Sequence, residues 1–88
     1  MALINRRELP AAEKHLSDAL ALAPNADHIH YAMALSRGLR GDYQNARESL
    51  QRAIELEPRN RIHARNDADF AGFARQPAIA SLLSREKG

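Results

Sequence analysis

Neither cysteine nor tryptophan occurs anywhere in this chain of 88 residues. The missing cysteine removes disulfides, thiolate metal sites and cysteine nucleophiles from consideration. The missing tryptophan, together with a supply of only two Phe and two Tyr, denies the core large aromatic anchors. Hydrophobic residues make up 44% of the chain, and alanine contributes much of that share, so the core must come from closely packed Ala and Leu seams. A domain this short buries a limited part of its surface and is marginal by itself. Apolar runs extend only a few residues, far short of a membrane span. The opening stretch, from Met1 through Leu3 and Ile4 to Arg7, lacks the charged-then-apolar pattern of a signal peptide. A secreted domain of this size usually needs disulfide staples, which favours a cytoplasmic location.

Charge of one sign is also lacking. Thirteen basic residues, eleven of them Arg, stand against 11 acidic ones for a net charge of +2. That excess is smaller than a nucleic-acid-binding surface normally carries.

What the chain does have is an internal repeat. Leu22-Ala23-Pro24 recurs as Leu56-Glu57-Pro58, 34 residues later. At the same offset Arg6 matches Arg40, Ala12 matches Ala46, Leu16 matches Leu50 and Ala19 matches Ala53, with Leu20 and Ile54, and Leu9 and Tyr43, as conservative pairs. A fixed period of this length is the signature of stacked helical units. Leu9, Ala12, Leu16, Ala19, Leu20 and Ala23 fall on one helical face, and Tyr43, Ala46, Leu50, Ala53 and Ile54 repeat it. Alanines at the shared positions let neighbouring helices approach closely. Pro10 fits a first helical turn. Gly41 suits a tight turn, and Asp42, Asn25 or Asp27, and Asn60 are the expected helix starters. The spacing predicts a short helical piece over 1–7 and helices over 9–22, 26–39 and 42–56.

Over these residues the chain resembles the tetratricopeptide repeat family, most closely at Gly41-Asp42-Tyr43, Ala46, Leu50 and the run from Gln51 to Pro58. The resemblance implies an all-α fold of antiparallel helix-turn-helix repeats. It places a partial repeat at 1–26 and a full repeat at 27–60. Residues 61–88 break the period. Here Arg61 to Arg65 suit a short helix, and Asn66 to Asp69 suit a turn, because Asn and Asp side chains compete for local backbone groups. Gln76-Pro77 starts a terminal helix. Phe70, Phe73, Ile79, Leu82 and Leu83 are expected to dock on Leu50 and Ile54 as a terminal cap, which a solenoid needs over its last repeat. Such an Asp-Phe segment before a Pro-initiated helix looks like tails found after repeats in bacterial proteins. The rival reading puts Phe70 and Phe73 in a ligand groove.

Catalytic chemistry finds no assembled set of groups. There is no Gly-x-Ser-x-Gly turn and no phosphate-binding Gly-rich loop. Asp67 and Asp69 are better suited to capping than to acid–base work. His28 and His30, two apart on a helix, point about 200° apart and cannot share a metal within it. The reading is therefore of a non-enzyme with no cofactor and no metal.

What the resemblance implies instead is a protein–protein interaction module, a scaffold or adaptor that takes a peptide or protein partner in its concave groove. In that family the first helix of each pair lines the groove. Carried over by position, this implicates His28, Tyr31, Leu35 and Leu39, joined by Ile62, Arg65 and Asp69 if a further first-type helix follows Pro58. Leu35 and Leu39 serve equally well as packing between helices. The Lys and Asn pattern of a carboxylate clamp is absent, since Ala32 stands where an Asn is expected, which disfavours an acidic chaperone tail. A mixed apolar and cationic groove suits an extended or helical peptide. So few repeats fall short of a self-sufficient stack. Self-association or upstream repeats are therefore expected, with Leu3, Ile4, Leu9 and Leu20 as the covering contacts. The rival functions are a terminal capping or dimerisation fragment with no ligand of its own and, further off, a weak nucleic-acid-binding regulator.

Overall fold

The computed structural model describes residues 9–84. Among them the chain forms six helices and no strand: α1 (Leu9–Leu22), α2 (Asp27–Leu39), α3 (Tyr43–Leu56), α4 (Arg59–Asn66), α5 (Ala68–Ala71) and α6 (Pro77–Leu83). The helical piece expected over residues 1–7, with Leu3 and Ile4, lies outside the described residues, as does the side chain of Leu9.

Three helix ends have a clear local cause. α2 ends in a Schellman closure: Asp42 N–H bonds the Arg37 carbonyl at 2.9 Å and Gly41 N–H bonds the Gly38 carbonyl at 3.1 Å. This requires a left-handed residue, supplied by Gly41 at φ 88°. α5 begins where the Asp67 carboxylate accepts the backbone N–H of Asp69 at 2.9 Å, and α6 carries Pro77 in its first turn. Three expected starters act differently. Ala26 occupies the N-cap of α2 without a side-chain cap, while Asn25 accepts from Arg52 Nη2 at 3.2 Å. Asp42 sits at the N-cap of α3, but its carboxylate takes Asn45 Nδ2 at 2.8 Å instead of a backbone N–H. Asn60 lies inside α4 and donates from Nδ2 to Asp27 Oδ2 at 2.8 Å and to the Ala53 carbonyl at 2.9 Å, pinning the starts of α2 and α4 to the end of α3.

Short connections make α1, α2 and α3 antiparallel neighbours, and α2 and α3 supply the middle of the core. Ala34, Leu35, Ala46, Leu50 and Ile54 are buried in one cluster with Ala64, Phe70, Phe73, Ile79, Leu82 and Leu83. Residues from α4 to α6 thus share the core with the repeat. Polar ties hold them there: Arg47 Nη1 donates to the Ala78 carbonyl and Ser81 Oγ at 2.6 and 2.8 Å, and Arg61 Nε donates to the Leu82 carbonyl at 3.2 Å. The last satisfies a carbonyl that the end of a helix leaves without an intrahelical partner.

The scarce aromatics lie in one line. Tyr31 contacts Phe70 at 5.0 Å between ring centroids, Phe70 contacts Phe73 at 5.1 Å, and Phe73 contacts Tyr43 at 6.3 Å. Such pairs contribute about 0.5–1.5 kcal/mol each beyond the area they bury.

The Phe73 ring lies directly on the backbone of α2 at Gly38, where an added Cβ would overlap the ring. Gly38→Ala is favoured by helix propensity, by about 1 kcal/mol, yet it should lower stability by about 1–3 kcal/mol because the ring has no room to retreat. Urea denaturation of the two chains measures the sign directly.

Candidate functional site

Residues of α2, of α4 and of the start of α5 line an open groove of about 970 Å³. On α4 the lining residues are Arg59, Asn60, Ile62, His63 and Asn66. Arg59, Ile62, His63 and Asn66, spaced by three, four and seven residues, share one helical face. α2 contributes His28 and Tyr31, and Asp67 and Asp69 come from the start of α5.

Tyr31 is the floor. Its ring leans on buried Phe70 and meets the edge of His63 at 4.9 Å. Its hydroxyl donates to Asp67 Oδ2 at 2.8 Å. Burial, and then that hydrogen bond, push the Tyr31 hydroxyl well above the ordinary phenol range, so it remains a protonated donor. Asp67 is thereby fixed at both oxygens, since Oδ1 holds the Asp69 N–H. His63 Nε2 stands 4.0 Å from Asp67 Oδ2. Ile62 rises from the wall 59% exposed, and only Leu22, at 89%, is a more exposed large hydrophobic residue among those described. Along the rim Glu57 accepts from Arg59 through Nε and Nη2, both at 3.0 Å, and through the backbone N–H at 3.1 Å.

Of the residues assigned to the groove from sequence, His28, Tyr31, Ile62 and Asp69 line it. Leu35 is a core residue, 6% exposed, and Leu39 packs against that core, because both lie on the side of α2 that faces α3 and the Phe residues. Arg65 is exposed and off the lining face of α4. Besides Arg59, the charged residues that line the groove are Glu57, Asp67 and Asp69. Sequence reasoning passed over Asn60, His63, Asn66 and Asp67. The signal for most of them was the spacing of Arg59, Ile62, His63 and Asn66 once a helix is started at residue 59.

The histidine pair separates as helical geometry requires. His28 enters the groove, while His30 Nε2, in the tautomer that carries the proton there, donates to the Pro24 carbonyl at 2.8 Å. Among the described residues no three His, Cys, Asp or Glu side chains gather to hold a metal ion, and no helix is long and apolar enough to cross a membrane.

In comparison with known proteins, residues 28–60 fit the family model of the tetratricopeptide repeat. No curated protein and no solved structure matches the chain.

The Glu57 carboxyl is held down to about 2 by the hydrogen bond from the Arg59 guanidinium and then by the Arg59 backbone N–H. A depressed carboxyl stabilises the fold above its unfolded pKa and loses that contribution as pH falls through the folded one. Glu57→Gln should therefore flatten the pH dependence of stability between the ordinary value of 4.5 and about 2. Urea midpoints measured across that window in both chains test it.

Proposed function

We propose that this chain, whose residues 28–60 fit the family model of the tetratricopeptide repeat, works as a protein–protein interaction module of that family, a scaffold or adaptor that takes a peptide or protein segment in the groove between α2 and α4. The observation that carries this reading is Ile62, an aliphatic side chain left 59% exposed on the wall of a groove whose floor is an aromatic ring. Apolar side chains standing beside fixed polar groups are what a peptide-binding groove offers its ligand. In this reading residues 61–88 serve as the capping segment, and no catalytic step is assigned. Peptides selected on the immobilised chain from a random display library should lose affinity about tenfold or more on Ile62→Ser, with the thermal midpoint unchanged because Ile62 is not in the core. Binders insensitive to that substitution would remove the groove from the proposal.

A second reading is favoured by α1. Ala46, Leu50 and Ala53 of α3 are fully buried and Ile54 is 6% exposed, whereas their period mates Ala12, Leu16, Ala19 and Leu20 are only half-buried. Among the described residues α3 packs against α2, α4 and α6, and α1 packs chiefly against α2. A further helix, from another copy of the chain or from additional repeats, supplies the missing side. Sedimentation at micromolar concentration should show self-association that Ala19→Glu abolishes; a cooperatively folding monomer sinks the second-copy version.

A further inference from the structure

We infer that residues 59–84 form a third repeat unit whose first-type helix is broken at Asp67, and that Asp67 is thereby the positioning residue that gives the groove its α5 wall. The positioning role rests on the groove reading above; the third unit does not.

Although the residues after Pro58 depart from the repeat pattern, the spacing of the elements keeps to it. α6 begins at Pro77, 34 residues after α3 begins at Tyr43. Gly72 stands five residues before α6 as Gly38 stands five before α3. Residues 74–76 take the place of 40–42, which connect α2 to α3. α6 packs on α4, the first helix of its own pair, and on α3, the second helix of the pair before. Arg47 and Ser81, also 34 apart, touch directly, with Arg47 Nη1 donating to Ser81 Oγ at 2.8 Å. Matching positions of neighbouring units are thus stacked on each other, as in a solenoid.

By the same offset Asp67 and Asp69 take the places of Met33 and Leu35, both buried on α2. A helix running unbroken through residue 67 with the faces of α2 would carry two carboxylates to those buried positions, and an unpaired buried charge is costly. The chain breaks instead. Asp67 is extended, with φ −85° and ψ 119°, and both sides of the break are satisfied. Asn66 Nδ2 donates to the Ile62 carbonyl at 3.1 Å. The Asp67 carboxylate accepts the Asp69 N–H at 2.9 Å and the Tyr31 hydroxyl at 2.8 Å. Asp side chains compete for nearby backbone groups in this way. With the break in place, Phe70 and Phe73 reach the core, and Asn66, Asp67, Ala68 and Asp69 line the groove.

The test restores the residues of α2 in the full chain, Asp67→Met together with Asp69→Leu. Backbone NMR shifts should then run helical without interruption from 59 to 71. Asp67→Asn should keep the break, because its carboxamide can cap with the oxygen and donate to the Tyr31 hydroxyl with the nitrogen. Tyr31→Phe deletes one hydrogen bond and should speed amide exchange at Phe70 and Phe73 about three- to tenfold. The α3 amides should move less, whereas a loss of global stability would move both equally. A folded double variant still broken at residue 67 overturns the inference. So does Tyr31→Phe if exchange in α5 is unchanged or rises no more than in α3, and this arm decides the matter should the double variant fail to fold. Peptides selected on the groove should lose affinity about tenfold on the fused chain. Undiminished binding there would overturn the positioning role and leave the third unit standing.

Discussion

The Phe73 ring rests on α2 at the one position where that helix has no side chain, Gly38. That contact governs how closely everything after α4 can approach the repeat. A chain without tryptophan and with four Phe and Tyr in all cannot spread its aromatic area, and here all four rings are joined in line from Tyr31 to Tyr43. Burying a Phe side chain is favourable by about 1.5–3 kcal/mol. Phe70 and Phe73 are 0% and 3% exposed, so the segment that breaks the 34-residue period brings the bulkiest side chains to the core. Alanines from the repeat supply close approach, and the C-terminal segment supplies volume.

The same packing makes the groove. Phe70 stands behind Tyr31 and fixes its ring, and the helix that carries Phe70 begins at Asp67, whose carboxylate both caps that helix and receives the Tyr31 hydroxyl. One residue thus links the start of α5 to the floor of the groove. Stability and binding geometry are coupled at this point. The coupling is local, because Ile62, His63 and Asn66 stand on the opposite wall and their side chains do not enter the core cluster.

α1 is attached by different means. Its apolar face is half-buried against α2, and its polar anchor is Glu13, 16% exposed, which meets Arg40 at 2.9 Å and Arg37 at 3.6 Å. Exposed ion pairs contribute about 0–1 kcal/mol. Glu13 is better shielded than most, but the arrangement still gives α1 far less than α3 draws from its buried seam. An uneven stack of this kind follows when each helical unit depends on neighbours to cover its seam.

The sequence by itself determined α1, α2, α3 and their repeat, whereas α5 begins at Ala68 inside a stretch expected to be a turn. Helical spacing and a 34-residue echo are local and additive signals, and the boundaries of α1, α2 and α3 follow them to within a residue. It also singled out Phe70, Phe73, Ile79, Leu82 and Leu83 as core, since large apolar residues at helical spacing have few alternatives to burial. Which side of each helix met which neighbour was decided only in three dimensions. Leu35 and Leu39 went inward because Phe70 and Phe73 arrived on their side of α2. Arg65 fell off the groove because starting α4 at Arg59 turns Ile62, His63 and Asn66 inward together. Asp67 and Asp69, distant from Tyr31 in sequence, joined the groove only when the start of α5 was folded against it. Periodicity reports which residues share a face; it carries no information about which face is covered, and that is set by packing among segments far apart in the chain.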